Sequence, residues 1–185
     1  MAIKATIFKA DLQIADMDRH YYQDHALTIA RHPSETDERM MMRVLAFIIH
    51  AHEALVFGKG LSADDEPDLW QKDLTGAIEL WIEVGQPDEK RILKACGRSA
   101  RVIVYSYSNN SNIWWNQIGN RVERAKNLTV INLAPSISQA LAAFAQRSMQ
   151  LQCTVQDGQI WVTSNNETVQ VDMTVLHGAR TALSG

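Results

Sequence analysis

Three acidic residues stand where a carboxylate could do more than solubilise a surface. Glu83 lies near the C-terminal end of Ala77–Val84, in which Ile78, Leu80, Ile82 and Val84 alternate with Glu79, Trp81 and Glu83. That is the period of a strand with two different faces, and ligands of open α/β sheets gather beyond such strand ends. Asp68 opens a second extended segment, Asp68–Asp73 (DLWQKD), and Leu74-Thr75-Gly76 reads as the turn between the two. Folded back so that Asp73 meets Ile78, this segment places Asp68 directly across from Glu83. A slip of one residue parts them. Glu38 sits one helical turn before an apolar stripe, at its buried edge, where a carboxylate needs a cation, a metal or water. The plainer alternatives are a first-turn acid favoured by the helix dipole at Glu38, and a solvent-facing or lysine-paired side chain at Glu83.

The surrounding pattern supplies elements to hold these groups. Met41, Val44, Leu45, Ile48, His52, Leu55 and Val56 fall on one helical stripe, predicting a helix over Met41–Val56. Ser34, with Asp37 three residues on, resembles its capping box. His50 and His52 point to different sides of that helix and form no ligand pair, and His52 reads as a core-edge histidine. After Gly85-Gln86 the alternation stops. Pro87 suits a first helical position, Asp88 and Glu89 suit the positive helix end, and Gly97 suits the C-terminal cap. The helix Pro87–Cys96 would bury Ile92, Leu93 and Cys96. Arg101–Tyr107 is β-branched and aromatic-rich, and so short a strand–helix–strand unit predicts parallel strands with a right-handed crossover.

The flanks read as follows. Ile3–Ile14 and Arg19–Ala30 form an N-terminal hairpin around Ala15–Asp18. Asn109-Asn110-Ser111 caps a helix marked by Trp114, Ile118 and Val122, with Trp115 at its packing edge. Leu128–Leu133 is a strand. Pro135-Ser136 starts a short helix with Ile137, Ala140, Leu141 and Phe144 inward. Met149–Val155, Ile160–Thr163 and Val169–Val175 alternate as a three-stranded meander with a tight turn at Asp157-Gly158, and the tail from His177 to Gly185 frays. The sum is one α/β (α+β) domain: a mixed β-sheet flanked by helices, with an N-terminal hairpin and a C-terminal meander.

Composition narrows the function classes. A hydrophobic content of 46% and a charged content of 21% over 185 residues describe a globular chain with a sizeable core. A net charge of -3 gives no general pull on nucleic acid. Lys90, Arg91, Lys94 and Arg98 are nevertheless a local basic face, open to nucleic acid or an acidic partner, or simply solvated. Cys96 and Cys153 lack metal-ligand spacing and point to reduced thiols in the cytoplasm. Lys4 and Lys9 interrupt the N-terminus before a signal-peptide core can form, and the longest apolar run, Val44–Phe57, is too short and too polar to cross a membrane. No nucleophile motif and no phosphate-binding glycine loop is present.

The phrases ARHPSETDERM (Ala30–Met40), GLSADDEPDLWQKD (Gly60–Asp73) and LWIEVGQPDEKRILKAC (Leu80–Cys96), the Trp114-Trp115 pair and QDGQIWV (Gln156–Val162) closely resemble the YaeQ family along the whole chain. That resemblance implies a variation on the PD-(D/E)XK nuclease fold, with a restriction-endonuclease-like core. It further implies that Glu38, Asp68 and Glu83 hold Mg²⁺ or Mn²⁺ for phosphodiester hydrolysis, with nucleic acid as substrate. The lysine such a pattern carries two residues after Glu83 is Gly85 here. Lys90 or Lys94 reaching back from the next helix, or Gln86 in a positioning role, would stand in for it. The other expectation is a non-catalytic interaction module that retains the fold.

Overall fold

The structure, a computed structural model, describes residues 4–179. In chain order it forms β1 (Thr6–Asp16), β2 (Tyr21–Arg31), α1 (Asp37–Ile49), β3 (Leu55–Phe57), β4 (Leu69–Lys72), β5 (Ile78–Val84), α2 (Glu89–Arg98), β6 (Ser99–Ser106), α3 (Ser111–Val122), β7 (Leu128–Leu133), α4 (Pro135–Ala142), β8 (Ser148–Gln156), β9 (Gln159–Ser164), β10 (Glu167–Val171) and β11 (Met173–His177). The strands make two mixed sheets, ordered β10-β9-β8-β1-β2 and β11-β7-β6-β5-β4-β3.

The expected mixed sheet with flanking helices is the second of these. Its β5 and β6 run parallel, as do β6 and β7, and α2 and α3 lie in the two crossovers. The N-terminal hairpin and the meander are not appendages to it. Lys9 to Asp16 of β1 pair in parallel with Ser148 to Val155 of β8, so hairpin and meander join into a separate sheet. The meander itself ends at Val171, because Met173–His177 crosses over to pair with β7. His177 thus belongs to a strand, and residues 180–185 of the expected frayed tail lie outside the described residues. The hairpin forms with Thr6 opposite Arg31. The Asp157-Gly158 turn has φ of +53° and +74°, which is what a two-residue hairpin loop with a twist matching its strands requires.

Alternation along β1 turns Phe8, Ala10, Leu12 and Ile14 inward, and along β8 it turns Met149, Leu151, Cys153 and Val155 inward. These residues share one core with α1, α4 and the near face of the second sheet, including Leu69, Leu80, Ile82, Val84, Ile103 and Tyr105. A second core lies on that sheet's far face, where Trp81, Val102, Val104 and Val130 meet Ile92 and Ala95 of α2 and Trp114, Ile118 and Val122 of α3. Consequently α1 is sandwiched, and every residue from Met40 to Ile49 is buried. An amphipathic stripe is what a surface helix shows, and this helix needs none.

Five local expectations are corrected. The α1 helix stops at Ile49, and Leu55 and Val56, which continue its stripe on paper, belong to edge strand β3. His52 lies outside the helix and is exposed. The N-cap of α1 is Thr36, whose hydroxyl accepts from the Arg39 N–H at 3.1 Å, while Ser34 bonds instead to His32. In α2 the cap is Asp88, accepting from the Arg91 N–H at 2.8 Å, and the helix continues through Gly97. Leu93 of α2 faces solvent.

At the C-terminal end of α1, His50 lies 2.7 Å from the Tyr105 hydroxyl in the core. Burial, with Arg101 and Arg19 nearby, lowers its pKa from 6.5 to about 3. The unfolded chain takes up a proton near pH 6.5 that the folded chain refuses. His50 therefore contributes stability at neutral pH that is lost progressively as the pH falls from about 6.5 toward 3. Chemical denaturation at pH 7 and pH 5 should show this loss, and His50→Gln should flatten it. Leu45, 1% exposed at the centre of α1, sets the scale for the sandwich. Leu45→Ala should cost about 2–5 kcal/mol in the same denaturation experiment at pH 7.

Candidate functional site

The parallel strands β5, β6 and β7 all end on the side where α1 begins, and the polar residues of that end gather around the first turn of α1. Glu35 precedes the helix and is 6% exposed. Arg43 grips both of its carboxylate oxygens, Nη2 to Oε1 at 2.6 Å and Nε to Oε2 at 2.9 Å. Arg39 donates from Nη1 to the same Oε2 at 2.6 Å and from Nη2 to Asp68 Oδ1 at 2.7 Å. That second nitrogen also reaches the Val84 carbonyl at 3.2 Å. The other Asp68 oxygen accepts the Val84 N–H at 2.7 Å. Arg43, Glu35, Arg39 and Asp68 thus alternate in sign along one chain of charges, buried except at the partly exposed Arg39.

Burial works against the Arg39 charge, but Asp68 and Glu35 more than offset it, and its pKa lies above the usual guanidinium value. The Tyr107 hydroxyl, at the end of β6, feels the same group. Burial pushes it up to about 12, with Arg39 pulling down and Glu38, Glu35 and Asp68 pushing up.

The three carboxylates singled out in the sequence are placed differently from one another. Leu69 pairs with Ile82, and the Asp68 N–H donates to the Ile82 carbonyl, so Asp68 does reach the level of Glu83. A bulge after Gln71 absorbs the one-residue difference at the other end, where Asp73 meets Ala77 rather than Ile78. The side chains then part. Asp68 turns to Arg39 on α1, whereas Glu83 turns to the far face, accepting from Trp81 Nε1 at 2.8 Å and Arg91 Nε at 2.9 Å. Burial, and then the Asp68 charge, raise the Glu83 pKa above the usual carboxylate value against the pull of Arg91. Glu38 accepts from the Ser138 hydroxyl of α4 at 2.5 Å.

The candidate lysines lie elsewhere. Lys94 pairs with Asp65 at 2.5 Å, Arg91 donates to the carbonyls of Asp64 and Glu66, and Arg98 to that of Asp65. The basic face of α2 therefore holds the 64–66 loop, and Lys90 is exposed. Gln86 donates to Ser108 Oγ at 2.5 Å and Asn110 Oδ1 at 2.8 Å, tying the loop after β5 to the loop after β6. Gly85 has φ of +112° with open space around a would-be Cβ. Backbone conformation, not crowding, excludes a lysine there.

As they stand, these residues do not fit the divalent metal that the resemblance implies. Both Asp68 oxygens are engaged, a guanidinium is one of the partners, and Glu83 is directed at α2. No group of three or more His, Cys, Asp or Glu side chains among the described residues is placed to hold a metal ion. Glu35, Arg39, Arg43, Tyr107 and Ser138 carry the geometry without having been singled out in the sequence. For the first three a signal existed, since Glu35, Arg39 and Arg43 recur at four-residue steps, the spacing at which side chains along a helix and its entry meet.

A two-sheet α/β protein with a polar, charge-paired cluster at the ends of its parallel strands is the class that fold and site define. The YaeQ protein family matches residues 1–173, and the chain belongs to that family. It is 46% identical to the uncharacterized protein YaeQ of Escherichia coli (strain K12) over 175 residues, 94% of this chain and 97% of that one. The crystal structure of the YaeQ protein from Xanthomonas axonopodis pv. citri superimposes with a TM-score of 0.90 at 46% identity, covering 95% of this chain and 99% of the other. That of Pseudomonas syringae gives 0.91 at 35% identity, covering 95% and 98%.

The two kinds of ion pair predict different mutational outcomes. Glu35→Gln leaves buried Arg43 and Arg39 short of a counter-charge and should cost about 3–5 kcal/mol in urea denaturation. Lys94→Ala removes an exposed pair and should leave the denaturation midpoint unchanged within error.

Proposed function

We propose that the chain is a non-catalytic interaction module that has the acids Glu38, Asp68 and Glu83 without metal chemistry. One observation carries this reading: each of the three acids has a partner inside the protein, Glu38 with Ser138, Asp68 with Arg39 and Val84, and Glu83 with Trp81 and Arg91. Its partner is nucleic acid or an acidic protein surface, met along α2, where Lys90, Lys94 and Arg98 follow one another at four-residue steps and are all exposed. The exposed Lys94–Asp65 pair is weakly held and can exchange for a phosphate. The unpaired thiols Cys96 and Cys153 support a cytoplasmic location. No helix among the described residues is long and apolar enough to cross a membrane.

One observation favours the enzymatic alternative, a metal-dependent phosphodiester hydrolase. The Asp68 charge acts on Glu83 and raises its pKa, and Mg²⁺ or Mn²⁺ would relieve such repulsion. Arg39 would then have to leave Asp68, and Lys90 or Lys94 would have to reach the site.

Anisotropy titration of a labelled oligonucleotide, in EDTA and in millimolar Mn²⁺, separates the two. The module reading expects binding in EDTA that weakens with salt and with Lys90→Glu/Lys94→Glu. It also expects intact oligonucleotide in Mn²⁺ and no Mn²⁺ heat in calorimetry of the wild type. Cleavage in Mn²⁺ that Glu83→Ala abolishes overturns it in favour of the enzyme.

A further inference from the structure

We propose that Arg39 is the resident cation of a latent hard-cation site formed by Glu35, Asp68 and the Val84 carbonyl, and that removing its guanidinium opens this site to Mn²⁺ or Mg²⁺. The inference rests on the non-catalytic reading above and concerns what neutralises these acids. Glu35 Oε2 lies 2.6 Å from Arg39 Nη1, and Asp68 Oδ1 and the Val84 carbonyl lie 2.7 and 3.2 Å from Nη2. Two carboxylates and a backbone carbonyl are the oxygen donors that Mg²⁺ and Mn²⁺ take. Here a planar, permanently charged guanidinium meets them instead.

The donors are held independently of Arg39. Asp68 is 1% exposed, and the Val84 N–H fixes its second oxygen at 2.7 Å. Glu35 stays gripped at both oxygens by Arg43. Gly60, with φ of +53°, brings backbone so close that a Cβ would lie 3.1 Å from Asp68 Oδ1. The Arg39 side chain is 15% exposed, so the site borders solvent and an ion can enter once the guanidinium is gone. This donor set uses Glu35, not Glu38 or Glu83. Without Arg39, Glu35 still has Arg43, but Asp68 loses its counter-ion and keeps a buried negative charge that a divalent cation neutralises.

The test is Arg39→Gln, compared with the wild type and with Arg39→Lys, which keeps the charge. In EDTA, R39Q should melt below the wild type. Millimolar Mn²⁺ should raise its melting temperature while leaving the other two unmoved, and calorimetry should show Mn²⁺ binding by R39Q and none by the wild type. The paramagnetic ion should broaden the Val84 and Asp68 amide resonances of R39Q before any others. If R39Q is unfolded in EDTA, Mn²⁺ should restore its far-UV circular dichroism. R39Q that does not respond to Mn²⁺, folded or unfolded, overturns the resident-cation role, as does broadening centred elsewhere. That failure leaves the module reading standing, whereas Mn²⁺ binding by the wild type overturns both.

Discussion

A cation on a helix that is buried on all sides has to bring its counter-charge with it. That constraint organises this protein. α1 lies between two sheets, and Arg43, on its second turn, is buried beside Met40, Met41 and Met42. Its charge is met by Glu35, whose position before the helix is fixed by the Glu35 N–H bond to the His32 carbonyl at 2.8 Å. Glu35 in turn holds Arg39, Arg39 holds Asp68, and Asp68 holds the Val84 N–H. Arg43 also bonds the Ala30 carbonyl at the end of β2. One run of charges therefore connects the first sheet, the sandwiched helix and the end of β5. Buried ion pairs contribute little net stability against an apolar replacement, yet breaking one is costly. What the network adds is a penalty on any packing in which α1 slides or rotates.

The same constraint explains how two residues can share a level and serve different cores. The bulge after Gln71 keeps Leu69 against Ile82, and with it Asp68 beside Glu83. Asp68 lies just before β4, free of the strand's alternation, and can bend toward α1. Glu83 lies within β5 and must follow Trp81 to the far face, where Arg91 neutralises it. Arg91 spends its other nitrogens on the 64–66 loop. Each acid has thus recruited an arginine from the helix on its own side of the sheet.

Much of the fold was legible in the sequence. Period-two alternation located β5, β8 and β9, and the Gly85 break with Asp88 located α2. What alternation does not encode is the partner of a strand. Nothing within β1 or β8 announces that they pair in parallel across more than a hundred residues, so the hairpin and meander looked like ornaments on one sheet. Val169 to Val175 alternates without interruption, yet the chain changes sheets at Asp172. The apolar stripe ran past Ile49 because Leu55 and Val56 happen to keep its phase, although one is a core residue of an edge strand and the other is exposed.

The site was half legible, for a related reason. Spacing brought Asp68 to Glu83, and Gly85 was rightly noticed as the departure, its φ of +112° now supplying the cause. A motif-led search looks for acids that converge on something absent, and so passes over a cation already in place. Glu35, Arg39 and Arg43 lie inside the ARHPSETDERM phrase at four-residue steps. With Arg39 and Arg43 on the buried helix and Glu35 just before it, they demand at least one further acid, because two arginines face one glutamate. Asp68 is that acid. Its burial and its contact with Arg39 follow from charge balance, with no ligand needed to account for either.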